Sequence, residues 1–205
     1  MNAVIEAIKN RRSVRFYQDK PVPREIIEAI IDAGNWAPTG NNGQSWRFVV
    51  VQDRAFMQKL INAALPVWKA VIDGWLKSED DFTRRYFIDF WPRCFGWPSL
   101  TYKETMKRAR DLETGVYWDA PVIIFVVGHH VEECSLVCQN MMIAAQSLGL
   151  GSCIVGFGAQ VTGDPGVVNV LELKENEKIY GPVVFGYPKI VPEPPPKKAP
   201  VVKWI

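Results

Sequence analysis

The spacing of apolar positions along the chain alternates between helical and extended signals. Val4, Ile5 and Ile8 recur at helical spacing and predict a first helix from about Asn2 to Asn10. After the break at Pro21-Val22-Pro23, Ile26, Ile27, Ile30 and Ile31 form the buried stripe of a second helix, with Gly34 as its C-cap. Trp46 to Val51 reads as a strand, aromatic and β-branched with nearly continuous apolar character. Asp53 can N-cap a third helix that turns Phe56, Leu60 and Ile61 inward. From Pro66 to Tyr102 the periodicity degrades, and Lys103 to Gly115 then reads as helix again. Ala120 to Val127 is a central strand, apolar on both faces, with Pro121 at the entrance where a missing N–H is tolerated. Leu136, Val137, Asn140, Met141, Ala144, Ala145 and Leu148 mark the longest helix, ended by Gly149 and Gly151, with Met141 and Met142 as core residues. Ser152 to Phe157 is short and strand-like, Gly163-Asp164-Pro165-Gly166 is a turn, and Tyr180 to Gly186 is a further strand. The tail from Pro188 to Pro200 holds six prolines and is therefore extended.

Helices and strands are mixed without regular βαβ alternation, so the fold class is α+β. A chain of 205 residues without internal repeats or a clear linker is read as one domain, 1–205, with an aromatic-rich insert at about 66–102. The formal net charge of +2 is too small to argue for nucleic acid or an acidic membrane as partner. The first residues lack the basic and apolar regions of a signal peptide, and the apolar run from Ala120 to Val127 falls far below the ~20 residues of a membrane helix. A cytoplasmic, membrane-free protein is expected, with its four cysteines reduced. Cys134 and Cys138, four apart, share a helix face. Without an accompanying CxxC they read as two buried thiols in preference to a metal or redox pair. Gly149-Leu150-Gly151 and Gly156-Phe157-Gly158 follow a helix and do not open one. No GxGxxG follows a strand, which argues against a dedicated dinucleotide domain.

Three stretches carry candidate chemistry. Ala37 to Ser45 has no charge, one proline, two glycines and five side chains that can hydrogen-bond, and it leads directly into the first strand. A neutral polar loop held on a buried strand suits a flat heteroaromatic ligand with many carbonyl and N–H edges. An ordinary helix-to-strand connection has the same composition. Arg11-Arg12-Ser13-Val14-Arg15 places three guanidiniums within five residues, able to grip a phosphate at several oxygens. Taken by itself it is equally a solvated basic helix end that complements the helix dipole. In the insert, Trp68, Trp75, Phe82, Tyr86, Phe87, Phe90, Trp91, Phe95 and Trp97 either pack as a subdomain or line a pocket for planar ligands.

Taken in order, these pieces resemble the FMN-dependent nitroreductase family. The resemblance rests on Arg11-Arg12-Ser13-Val14-Arg15, on Ala37-Pro38-Thr39-Gly40-Asn41-Asn42-Gly43-Gln44-Ser45-Trp46-Arg47-Phe48, and on Asp119-Ala120-Pro121. It continues through the Gly149 to Gly156 turn and Gly186-Tyr187-Pro188 with a basic tail. It implies a nitroreductase-like α+β fold, a mixed central sheet flanked by helices, in an intertwined homodimer with FMN at the subunit interface. By position, Arg11, Arg12, Ser13 and Arg15 would hold the phosphate and ribityl chain, which displaces the helix-end reading of that cluster. Pro38, Thr39, Gly40 and Asn42 would touch the flavin from the partner subunit. Ile154, Val155 and Gly156 would approach the ring edge by backbone, and Lys197 or Lys198 would return to the phosphate. The implied activity passes a hydride from NADH or NADPH through flavin N5 to a nitroaromatic, quinone or related planar acceptor, in ping-pong order and without a catalytic side chain or a metal. Reductive dehalogenation, flavin fragmentation and flavin storage or sensing without turnover are the alternatives on the same fold. Ser45 stands where the family usually has proline, Val155 where several members have Glu, and lysines stand in the tail where arginine is common.

Overall fold

The computed structural model describes residues 2–77, 88, 91–92, 100–112, 115–194 and 197–205. Six helices among them are α1 (Ala3–Asn10), α2 (Arg24–Asn35), α3 (Arg54–Leu76), α4 (Tyr102–Arg110), α5 (Val131–Ser147) and α6 (Pro165–Val170). The strands are β1 (Trp46–Val51), β2 (Val122–Gly128), β3 (Gly151–Ile154) and β4 (Lys178–Gly186), in the spatial order β1-β2-β4-β3. All neighbours among these strands pair antiparallel. A parallel component is added at the β3 edge by an isolated bridge between Ser13 and Ser152.

The strand β2 is buried throughout, and its alternating side chains feed two separate cores. Ile123, Phe125 and Val127 face one core with Leu60, Ala64, Trp68 and Ile72 of α3 and Met106 and Ala109 of α4. Val122, Ile124 and Val126 face the other with Ile27 and Ile30 of α2 and Val137, Cys138 and Met141 of α5. The result is helices on both faces of one sheet, the α+β arrangement expected. Cys134 and Cys138 are indeed buried thiols on one face of α5.

Local chemistry explains where elements begin. Asn2 caps α1 by accepting from the Val4 N–H at 2.8 Å, and Asp53 caps α3 by accepting from the Phe56 N–H at 2.6 Å. Several boundaries differ from those the pattern predicts. Gly34 is inside α2 and not its C-cap, which is Trp36. A Cβ at position 34 would lie 2.6 Å from Met141 Cγ, so the glycine is there to let α2 pack closely on α5. Helix α3 does not stop at Pro66 but runs on to Leu76. Proline removes one hydrogen bond and strains the turn before it, while burial of Ala64 and Trp68 on either side holds the helix together. Helix α4 ends at Arg110, short of Gly115, and α5 begins at Val131 with Leu136 and Leu148 exposed. Pro165 and Gly166 are not a turn but open α6, where Asp164 accepts from the N–H groups of Gly166 and Val167 at 2.8 and 3.1 Å.

The apolar stripe of α1 faces outward, with Val4, Ile5 and Ile8 exposed by 60%, 46% and 47%. Trp36, Val201, Trp204 and Ile205 are likewise uncovered. The tail after Tyr187 forms no helix or strand among its described residues. Much of the expected insert (78–87, 89–90 and 93–99) lies outside the described residues, including Phe82, Tyr86, Phe87, Phe90, Phe95 and Trp97. No described helix is long and apolar enough to cross a membrane.

Candidate functional site

The arginine cluster leaves α1 in an extended conformation and lies along the free edge of β3. Val14 donates its N–H to the Ser152 carbonyl at 3.0 Å, and its side chain, 2% exposed, seats on Gly151. A Cβ on Gly151 would stand 2.6 Å from Val14 Cγ2, so this contact requires glycine. Arg12 Nη1 donates to the carbonyls of Lys9 and Arg11 at 2.7 and 2.9 Å. Arg15 Nη1 donates to the Ser13 carbonyl at 3.1 Å, and its guanidinium lies 5.8 Å from the Trp118 ring centre. Among the described residues Arg11 and Arg12 have no carboxylate partner. Burial pushes the Cys153 thiol above its ordinary pKa, while Arg15, the Ser13 hydroxyl and Arg11 draw it the other way.

The end of β3 continues the same surface. Ile154 and Gly156 are exposed and Val155 is buried. The Val155 N–H is occupied, donating to the Pro182 carbonyl at 2.9 Å. That N–H, expected from the sequence to approach a ligand, is thus already bonded within the fold. A Cβ at position 156 would meet nothing within 4 Å, so an approaching group finds open backbone there. Phe157 follows, with Trp68 and Trp75 edge-on to it at 5.1 and 5.9 Å. Trp68 stacks on Trp91 at 5.5 Å, and Trp91 meets Trp118 edge-on at 6.5 Å. The described aromatics of the 66–102 stretch thus connect Phe157 to the ring beneath Arg15.

The polar loop is held elsewhere. Gly40–Asn42 forms a single 3-10 turn, and Asn41, Asn42 and Gln44 all adopt positive φ (52°, 56° and 46°). Such φ values are costly for residues with a Cβ and persist only where neighbours impose them. The imposing group is Glu133, in the first turn of α5. Its Oε1 accepts from the Gly40 N–H at 3.1 Å and its Oε2 from the Ser45 hydroxyl at 2.9 Å. The Thr39 hydroxyl is the largest of three donors, ahead of Gly40 and Ser45, that hold the Glu133 carboxyl below its ordinary pKa. Thr39 Oγ1 accepts in turn from the Gln44 N–H at 3.3 Å. Sequence reading missed Glu133, because an acidic residue opening a helix has a sufficient local explanation in the dipole.

These two groups sit at opposite corners of the sheet. Ser13 adjoins Ser152, whose row runs through Phe185 to Val122 at one end of β2. The polar loop enters at Trp46, which pairs with Gly128 at the other end. Four strand spacings across, from the Ser13 segment to β1, and six residues along amount to roughly 28 Å. That is longer than a mononucleotide. Lys197 and Lys198 are in the exposed tail, and among the described residues nothing ties them to the arginines. A cavity of about 180 Å³ between α3 and β2, lined by Arg54, Gln58, Tyr117 and Asp119 among others, contains none of the expected site residues.

Residues 8–187 match the sequence profile of the Nitroreductase family. The chain belongs to the nitroreductase family. Its relatives include nitrobenzene nitroreductase from Ectopseudomonas oleovorans, 30% identical over 169 residues that cover 74% of this chain and 73% of the relative. The FMN reductase [NAD(P)H] of Bacillus subtilis is 26% identical over 92% of this chain and 67% of its own length. A crystal structure of a nitroreductase with bound FMN from Bacteroides fragilis superposes with a TM-score of 0.70 at 26% identity, covering all of both chains. Within this nitroreductase fold the residues at the β3 edge suit a flavin mononucleotide: Arg11 and Arg12, with no carboxylate partner among the described residues, for a terminal phosphate, and an open backbone at Gly156 for a ring edge.

Proposed function

We propose that the protein is an FMN-dependent oxidoreductase taking a hydride from NADH or NADPH and passing it to a nitroaromatic, quinone or related planar acceptor. The observation that carries this reading is the docking of the segment Arg11, Arg12, Ser13 and Arg15 along β3, with no carboxylate paired to Arg11 or Arg12 among the described residues. The relatives' names speak for the donor and the acceptor class. FMN supplies the hydride chemistry when bound, so donor and acceptor use one place in turn.

The chain's own residues bind and orient. Arg11, Arg12 and Arg15 neutralise the phosphate, and Ser13 adds a hydroxyl. Gly156, with Ile154 and Val155 shaping the strand end beside it, offers an N–H where negative charge gathers on a reduced ring. Phe157 and Trp75, half-buried and edge-on to each other above the buried Trp68, wall the place where a planar acceptor stacks and exclude water from it. The 66–102 stretch sets acceptor choice. The loop of Pro38, Thr39, Gly40 and Asn42 serves the flavin held by a second copy of the chain, a reading supported by its distance of roughly 28 Å from the arginines on its own chain. A homodimer also covers Val4, Ile5, Ile8 and Trp36, and brings Lys197 or Lys198 of the extended tail to a phosphate.

Anaerobic titration tests the activity. The purified yellow protein is expected to bleach on adding NADH or NADPH and to recover on adding nitrobenzene. Bound flavin that neither nucleotide bleaches overturns the enzyme in favour of a flavin-storage protein. Recovery with a halogenated phenol and not with nitrobenzene moves the acceptor class to reductive dehalogenation.

A further inference from the structure

The geometry points to Glu133 as the positioning residue for the flavin-contacting loop. It clamps Thr39, Gly40 and Ser45 from the first turn of α5. The inference rests on the reading that residues 38–42 contact bound flavin, and it adds a residue which itself touches neither flavin nor substrate.

The loop is not self-supporting. Asn41, Asn42 and Gln44 all take left-handed backbone conformations, and only Gly40 and Gly43 lack a Cβ among residues 39–45. Within the loop, bonds run from the Gln44 N–H to Thr39 Oγ1 and from the Gln44 amide to Asn42 Oδ1, at 3.3 and 2.9 Å. These tie the loop to itself but not to the fold. Among the described residues, the side-chain hydrogen bonds that tie it to the fold pass through one carboxylate. Glu133 Oε1 takes the Gly40 N–H and Oε2 the Ser45 hydroxyl, so the two oxygens grip the start and the end of the turn, with Thr39 as a third donor. Charge-assisted bonds from one rigid helix turn are stronger and more directional than neutral ones. Helix α5 is in turn anchored by Cys134, Val137 and Cys138, all fully buried, so Glu133 transmits the position of the core to the loop. Ser45, which stands where the resembling family usually has proline, is here a hydrogen-bonding half of the clamp. A neutral loop of this composition would otherwise sample many conformations. Ordering it in advance removes that cost from ligand binding.

The test compares Glu133→Ala, Glu133→Gln and the neighbouring exposed Glu132→Gln in the full-length protein. FMN affinity is read by flavin fluorescence on apoprotein, and the visible circular dichroism and midpoint potential of bound flavin at saturation. Glu133→Ala is expected to weaken FMN by about 10–100-fold, the equivalent of one or two charged hydrogen bonds, and to change the visible dichroism. Glu133→Gln keeps an acceptor for Gly40 and offers an amide to the Ser45 oxygen, and is expected to recover to within about fivefold of wild type. Glu132→Gln is expected to match wild type. In an Asn42→Ala background, Glu133→Ala should cost much less than it does alone, because both act through the same loop. The inference is overturned if Glu133→Ala binds FMN within about threefold of wild type. It is also overturned if affinity falls while dichroism and potential at saturation stay at wild-type values, since that pattern means general destabilisation. Arg11→Ala separates this from the underlying reading. If Arg11→Ala loses FMN and Glu133→Ala does not, the flavin site stands and the clamp fails. A wild-type chain that takes up no FMN sinks both.

Discussion

Val14 lies on Gly151 with its backbone N–H bonded to the carbonyl of Ser152, and this contact seats the arginine segment on β3. Gly151→Ala places a methyl group 2.6 Å from Val14 Cγ2, closer than side chains approach, so the extended segment must move outward. The expected outcome is a loss of about 1–3 kcal/mol in stability and a clear drop in FMN affinity, measured by thermal unfolding and flavin titration. An alanine variant with unchanged affinity would show that the segment need not sit on β3 to hold a phosphate.

The same logic explains how far the sequence could be read. Elements set by neighbours in the chain were legible: the first helix runs to Asn10, Asp53 caps α3, and the apolar run after Pro121 is the buried strand β2. Elements set by distant packing were not. Pro66 looks like a stop, yet Ala64 and Trp68 bury against the sheet and carry α3 through it. Gly34 looks like a cap, yet Met141, more than a hundred residues on, is what requires it. The arginine cluster has two local explanations, and no local pattern shows that its segment bridges to Ser152, more than a hundred residues on. Glu133 reaches Gly40 across a sequence gap of 93, which no local pattern encodes.

A second prediction concerns pH. Arg47 Nη2 lies 2.7 Å from Glu177 Oε2, with the Glu177 side chain only 8% exposed, so the pair ties β1 to the turn before β4. The Arg47 hydrogen bonds hold the Glu177 carboxyl down at about 2, from 4.5 ordinarily. Because the folded value is the depressed one, the stabilisation is complete above pH 4.5 and is lost as pH falls toward 2. Arg47→Met is expected to cost on the order of 2 kcal/mol at pH 7 and to flatten the acid limb of the stability profile. Melting temperatures of both proteins between pH 7 and pH 3 check this. Parallel acid limbs would mean that other carboxylates govern it.

The phosphate grip can be probed singly. Arg11→Ala removes a charge-assisted contact worth ~1.5–3 kcal/mol, or roughly one to two decades in FMN affinity. Riboflavin, which has no phosphate, should bind wild type and variant alike. If the variant weakens riboflavin as much as FMN, Arg11 does not act on the phosphate.

The distance between the arginines and the polar loop leads to the last prediction. If Arg11 of one chain and Asn42 of the other serve the same flavin, neither chain completes a site alone. Asn42→Ala should cost about 1 kcal/mol, or somewhat more if it leaves a buried partner unpaired. A hybrid dimer pairing an Arg11→Ala chain with an Asn42→Ala chain then has one site carrying both lesions and one carrying neither. Differential tagging isolates the hybrid, and flavin titration counts its sites. About one FMN per dimer at wild-type affinity is expected, although both homodimers bind poorly. Had both residues served one flavin within one chain, the hybrid would show two singly damaged sites instead, each as weak as in its parent homodimer. The roughly 28 Å that separates the two groups along and across the sheet favours the first result, because one mononucleotide cannot span it.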